Sequence, residues 1–163
     1  MSQRGESVEM IIRPMTRADL DGAALVHQAA FPRQRQSRLW LECNLNGFPR
    51  MLTYVAVAER CLGYVIWVQK SGFRPEVVLE LDQLAVLPEV RGRGMGRRLI
   101  EESLAGVKQV LAEQQSVLKS VLVSTRADNQ AQRLYQAALG ARVEAVICGL
   151  YSADEVLMVS RTP

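Results

Sequence analysis

The sequence predicts a mixed α/β domain, a mostly antiparallel central sheet of about seven strands flanked by about four helices. Three observations predict it. Apolar and β-branched residues fill strand-like runs between residues 51 and 87, then recur at helical spacing from Gly94 to Ala112. Strands outnumber helices, and the early ones follow one another directly, which favours antiparallel neighbours. The 163 residues, 48% hydrophobic and 23% charged, suit one domain with a full core and exclude a mainly disordered chain.

Residues Val8 to Arg13 predict a first strand, ended by Pro14. Thr16 with Asp19 forms an N-cap signature, and Leu20, Ala23, Ala24, Val26 and His27 recur at helical spacing up to the Phe31-Pro32 stop. Gln34 to Leu45 predicts a second helix with Leu39, Trp40 and Cys43 on one side, broken by Gly47-Phe48-Pro49. The runs 51–59 and 62–69 predict a hairpin around Arg60-Cys61. After the loop SGFRP (71–75), a long strand covers 77–87. A helix from about Gly94 to Ala112 carries the stripe Leu99, Ile100, Leu104, Val107, Val110 and Leu111. A strand (120–125), a helix from about Asn129 to Leu139 capped by Gly140, and strands at about 142–148 and 156–160 complete the order βααβββαβαββ.

Composition excludes several function classes. The longest charge-free stretch is the 11 residues from Gly22 to Pro32, too short for the roughly 18 apolar residues of a membrane span. Arg4, Glu6 and Glu9 leave no apolar run for a signal peptide, and three cysteines without a CxxC predict reduced thiols in a cytoplasmic protein. A single histidine, His27, removes most histidine-based metal sites, so no metal is expected. A net charge of +3 is too small to argue for nucleic acid.

The densest signal is the junction where LDQLAVL runs into PEVRGRGMGRRLI (88–100) and opens a helix. Gly92, Gly94 and Gly96 let the backbone turn tightly and approach a ligand. The helix start offers unpaired N–H groups and about half a positive charge. Arg91, Arg93, Arg97 and Arg98 add cations that can fork onto phosphate oxygens. A pyrophosphate is a natural guest. A Walker loop is excluded because no Lys-Ser or Lys-Thr follows the glycines, and a dinucleotide fingerprint fits neither the glycine spacing nor the hairpin upstream. An RNA-binding patch would need interleaved aromatic residues, which are missing.

RGRGMG (91–96) resembles the R/Q-x-x-G-x-G/A signature of the GCN5-related N-acetyltransferase superfamily, on Arg91, Gly94 and Gly96. The resemblance extends to the strand, loop and helix of 81–104, the first strand-to-helix segment (13–32), the second hairpin (56–67) and a second acetyl-CoA motif, ADNQAQRLYQAALGARV (127–143). It covers nearly the whole chain in the right order and implies one N-acetyltransferase domain over residues 1–163.

The resemblance implies acetyl-CoA as cosubstrate, with pantetheine beside Leu84, Ala85 and Val86, pyrophosphate on the amides of Gly92, Arg93, Gly94, Met95, Gly96 and Arg97, and Asn129 in the second motif. It implies direct attack by an amine, of a small molecule or of a peptide or protein, on the acetyl carbon. On the central strand Glu80, Asp82, Leu84 and Val86 alternate onto one face. Glu80 is the first candidate for the general base, since many relatives carry glutamate there, and Asp82 the second; two carboxylates side by side can raise one pKa. The alternative makes both ordinary acids that pair with arginine or face solvent.

Tyr135 resembles the tyrosine that protonates the leaving thiolate. The distance from Asn129 is one residue shorter than the family's usual spacing, and a gapless alignment would put Gln136 there instead, about 100° round the helix. Members acting on ribosomal-type protein N-termini often carry glutamate where this chain has Ser124, which points away from that acceptor. A non-catalytic acyl-CoA sensor on the same fold is the alternative function. Dimers are common in the superfamily; neither nucleic acid nor membrane is an expected partner. His27, Trp40, Trp67, Cys61 and Cys148 read as structural; Arg33, Arg35 and Arg38 read as a solvated face that would favour an acidic acceptor only if turned into the pocket.

Overall fold

The protein is described by a computed structural model covering residues 9–163. Seven strands, β1 (Ile11–Pro14), β2 (Met51–Val57), β3 (Cys61–Gln69), β4 (Glu76–Val86), β5 (Val117–Arg126), β6 (Arg142–Ile147) and β7 (Glu155–Ser160), form one sheet in the order β1-β2-β3-β4-β5-β7-β6. Only β4 and β5 run parallel. The helices are α1 (Leu20–Ala30), α2 (Ser37–Asn46), α3 (Met95–Glu113) and α4 (Ala131–Leu139). This is the predicted class and element order. Among the described residues no helix is long and apolar enough to cross a membrane.

Helix α3 connects the parallel pair, and its predicted stripe is its buried face: Leu99, Ile100, Leu104, Val107 and Leu111 pack with α4 over Trp67, Leu79 and Val121. Each such side chain contributes about 1.5–3 kcal/mol when fully buried. Ser103 joins that face because its hydroxyl accepts from Trp67 Nε1 at 2.9 Å. On the opposite side of the sheet, Leu20, Ala23, Ala24 and Val26 of α1 cover Val55, Tyr64 and Ile66. The entry to α1 is fixed by Asp19, which accepts from the Thr16 amide at 2.7 Å and from Arg13 through two hydrogen bonds.

Several boundaries move for physical reasons. The first strand starts at Ile11; Val8, Arg4 and Glu6 lie outside the described residues. Helix α2 starts at Ser37, after Gln36 in the left-handed region (φ 53°). Its buried face is Ser37, Leu41 and Asn44, so Leu39, Trp40 and Cys43 face outward, contrary to the predicted side. Cys148 is exposed just after β6, not a core residue. Strand β5 begins earlier than predicted because Val117 to Leu122 pair with Glu76 to Glu80. Helix α4 begins at Ala131 because Asn129 turns its Oδ1 to the Ala131 amide at 2.9 Å.

One departure shapes the site. The β3–β4 register jumps from Trp67↔Leu81 to Ile66↔Gln83, so Asp82 is the extra residue of a β-bulge. Before it Val77, Leu79 and Leu81 face the α3–α4 core; after it Leu84 and Val86 do. The predicted shared face of Glu80, Asp82, Leu84 and Val86 is therefore broken. Glu80 lies on the face of Gln83 and Ala85, the α1–α2 side, while Leu84 and Val86 turn the other way.

Candidate active site

The first cleft forms where β4 hands over to α3. Gly92 and Gly94 both have positive φ (74° and 76°), and a Cβ at either position would meet nothing within 4 Å. Gly94 is the N-cap of α3 and no side chain caps the helix. Among the described residues, none of the amides from Gly92 to Arg97 donates a hydrogen bond to another group; the first amide to do so is that of Arg98, to Gly94 O at 3.0 Å. Six consecutive N–H groups thus remain available at the positive end of a 19-residue helix.

That cleft has a volume of about 540 Å³. Leu84, Ala85, Val86, Arg91, Gly92, Gly94, Met95, Gly96, Arg97, Asn129 and Tyr135, all sequence candidates, line it. The side chain of Arg91 folds back so that Nε donates to Val86 O at 3.1 Å. Arg97 pairs with Glu101 along the helix, and Arg98 with Glu102. Arg93 and Arg98 fall outside the lining.

The cleft continues along β4 because the parallel pairing stops early. β4 and β5 are joined only as far as Glu80↔Leu122. Beyond that point β5 pairs with β7 alone and β4 with β3 alone, so the strands part and the edge from Leu81 to Val86 faces the gap unpaired. The bulge at Asp82 lies at the parting.

A second cleft, of about 470 Å³, opens on the α1–α2 side of the parting and is lined by Gln34, Glu80, Asp82, Gln83, Ser124, Arg126, Tyr151 and Glu155 among others. Glu80 pairs with Lys70 at 2.7 Å. Asp82 has no ion pair among the described residues and is exposed to the cleft; the partial desolvation of its carboxyl by the cleft walls first and the Glu80 charge second raise it above the ordinary range, while Lys70 and Arg50 pull the other way. Arg126 is turned to Asp128 and to Ser152 Oγ. Arg33 and Arg35 are exposed outside the lining, and Arg38 pairs with Asp21 and Glu42, so the arginine run does not make this cleft basic.

Phe31, Leu84, Asn129 and Tyr135 line both clefts and mark where they meet. Tyr135 is 8% exposed, and burial lifts its phenol to about 12. Gln136, its rival in the gapless alignment, is exposed on the far side of α4. Asn129 holds the start of α4 to β5 by donating from Nδ2 to Thr125 Oγ1 at 3.0 Å.

A polar network backs the second cleft. Gln83 Oε1 accepts from Tyr64 Oη (2.6 Å) and from Trp40 Nε1 (2.9 Å), and Gln83 Nε2 reaches Gln34 Oε1 at 3.5 Å. Gln34 Oε1 also lies 2.9 Å from His27 Nε2, while Ser37 Oγ is 2.8 Å from Nδ1. His27, 1% exposed, is therefore structural as expected, but Trp40 is exposed rather than core. Sequence reasoning missed Gln34, Gln83 and Glu155. A glutamine within an apolar strand was the one visible signal, since alternation could not foresee the bulge that aims it.

A central sheet split between parallel strands, with a glycine-lined helix start at the mouth of the split, defines an acyl-CoA-type transferase architecture. The model of the acetyltransferase (GNAT) domain family matches residues 49–138, more than half of the chain, and the chain belongs to that family and is an acyltransferase. No curated protein matches the chain by sequence. Among solved structures, the chain is similar to Arabidopsis thaliana NAA60 in complex with a bisubstrate analogue (TM-score 0.72, 23% identity, covering 93% of this chain and 97% of that one). It is also similar to the ribosomal-protein-S18-alanine N-acetyltransferase of Escherichia coli (0.73, 19%, 94% and 94%) and to aminoglycoside 6'-acetyltransferase type Ii (0.72, 17%, 94% and 97%). At these identities the likeness shows a shared fold.

Proposed function

We propose that residues 1–163 form one cytoplasmic N-acetyltransferase domain that passes the acetyl group of acetyl-CoA directly to an amine held in the same complex. The observation that carries this reading is the meeting of two clefts at Leu84 and Tyr135. One cleft offers anion-binding amides and the other offers carboxylates. That acetyl-CoA or CoA occupies several structural neighbours, Arabidopsis NAA60 among them, supports the cosubstrate. The three free cysteines accord with a reducing compartment.

The amides of Gly92 to Arg97 hold the diphosphate, with Arg91 and Arg97 beside it. The unpaired edge of β4 holds the pantetheine as an added strand would be held, and a main-chain N–H near Leu84 polarises the thioester carbonyl. The acceptor amine attacks the acetyl carbon from the second cleft; a C–N bond forms and the C–S bond breaks. Asp82, whose raised pKa suits it to accept a proton, takes the proton of the amine directly or through water, with Glu80 the second candidate because Lys70 already neutralises it. Tyr135 gives its phenol proton to the departing sulfur and regains it from solvent; its high pKa keeps it protonated at working pH.

The test is acetyl-CoA titration by thermal shift together with thiol release across a library of amines. Stabilisation at millimolar acetyl-CoA and amine-dependent thiol release are expected. No stabilisation removes the binding reading, and binding without turnover on any amine turns the protein into an acyl-CoA sensor.

A further inference from the structure

Glu155 is a carboxylate of the second cleft that the proposed chemistry does not use. It opens β7, where Val156 and Met158 enter the α3–α4 core, so Glu155 faces the other side beside its cross-strand neighbour Arg126. It is only 5% exposed, and the Arg126 guanidinium, near enough to feel its charge, makes its hydrogen bonds to Asp128 and Ser152 rather than to Glu155. No polar side-chain atom among the described residues is both sealed from solvent and unpartnered, so the Glu155 oxygens reach the cleft. A buried carboxylate without a direct ion pair is costly, and a bound cation relieves it.

The charges of the cleft add up in one direction. Lys70 pairs with Glu80 and Asp128 with Arg126, which leaves Asp82 and Glu155 as the two carboxylates of the cleft without an ion pair among the described residues, each only partly offset by cations farther off. Asp82 stands at the parting of the strands, next to where the clefts meet, and Glu155 stands farther along. By register, Glu80 is level with Leu122 and Glu155 with Arg126, so Glu155 lies about 7 Å beyond Asp82 along the strands, with β5 between them.

We infer that Glu155 anchors a second positive charge on the acceptor, so that the substrates of choice are aliphatic diamines or longer polycations whose far ammonium binds Glu155 while the near amine reacts. The inference rests on the acetyltransferase reading above. The near amine loses its proton to the base, attacks the acetyl carbon and displaces the thiolate; the far ammonium keeps its proton throughout.

The experiment compares α,ω-diamines of increasing length with the n-alkylamines in which a methyl group replaces the far ammonium, following thiol release. A charge-assisted hydrogen bond of ordinary strength predicts that kcat/KM for the best diamine exceeds that of its isostere by about ten- to a hundredfold. In Glu155→Gln that ratio falls at least about tenfold, chiefly through KM, and Glu155→Asp restores part of it. Using the ratio separates the anchor from any general damage to the fold. A ratio near one in the parent, an unchanged ratio in Glu155→Gln, or a peptide N-terminus preferred over every diamine overturns the inference while leaving the acetyltransferase reading intact. Absence of acetyl-CoA binding or of turnover on any amine overturns that reading itself.

Discussion

Leu84 on the unpaired edge of β4 and Tyr135 on the buried face of α4 line both the cleft at the start of α3 and the carboxylate-bearing cleft beside it. A group that protonates a leaving sulfur must stand at such a meeting point. Tyr135→Phe removes one oxygen from a side chain that is otherwise buried, so packing is kept. The expected result is a fall in kcat of about 10²–10⁴-fold, the usual worth of a positioned general acid, with the acetyl-CoA dissociation constant unchanged. Because the phenol sits near 12, the parent should show no loss of rate from Tyr135 ionisation up to pH 10. Full activity in Tyr135→Phe, measured by thiol release, removes the residue from the mechanism.

Asp82 makes two opposite demands on the molecule. Partial desolvation in the cleft and Glu80 raise its carboxyl, although the residue is exposed there, so the ionised form needed by a base is reached only above the ordinary aspartate value of about 3.9. The acid limb of kcat/KM should therefore lie above that value and vanish in Asp82→Asn, whereas Glu80→Gln keeps a limb and loses less activity. The stability sign is the reverse of a salt-bridged acid. A folded-state pKa above the unfolded one means that the folded state binds the proton more tightly, so this group strengthens the fold as pH falls through its raised value and weakens it at neutral pH. Asp82→Asn should lose turnover yet raise Tm at pH 7. A lowered Tm there contradicts the account.

The fold was legible because its signals were local. The α1 stripe from Leu20 to His27 and the α3 stripe from Leu99 to Leu111 both became buried faces, and the helix-opening glycines stood at the mouth of the split. What was legible of the candidate site is the run of free amides from Gly92 to Arg97, where backbone geometry alone decides. It was not legible where one extra residue decides direction. Alternation through β4 assumes an unbroken pleat, and the bulge at Asp82 turned Glu80 away from the face of Leu84 and Val86. Helix α2 was misoriented for a different reason: its inner face is Ser37, Leu41 and Asn44, two of them polar, so hydrophobic period alone selected the wrong side. Glu155 depends on a cross-strand partner distant in sequence, which no local pattern carries.

Gly94 tests the amide cup without touching a charge. At φ 76° an alanine is strained by about 1–2 kcal/mol, and relaxing that strain turns the amides of Met95 and Gly96 away from a common centre. Gly94→Ala should weaken acetyl-CoA binding by about tenfold or more while lowering Tm by a few degrees. Gly72, at φ 94° in the remote β3–β4 loop, is the control: Gly72→Ala carries a similar strain and should leave the dissociation constant where it was. Equal loss of affinity in both variants would mean that general destabilisation, and not the cup, sets binding.

The pair Arg13–Asp19 supplies a prediction confined to folding. Asp19 receives two hydrogen bonds from Arg13 and closes the N-cap with the Thr16 amide, and Arg13 first, then the Thr16 bonds, hold its carboxyl below the ordinary range despite burial. Its folded pKa lies below the unfolded one, so the stabilisation is complete above about pH 3.9 and is lost as pH falls through the lower folded value. Asp19→Asn should therefore lower Tm at pH 7, by about 2–8 °C if the cap and pair are worth the usual 1–2 kcal/mol in a chain of this size. The gap between variant and parent should then narrow as the buffer is taken below about pH 3.9. Thermal melts of the two proteins across that series measure it directly. A gap that widens on acidification would show that Asp19 is held by something other than its ionised contacts with Arg13 and Thr16.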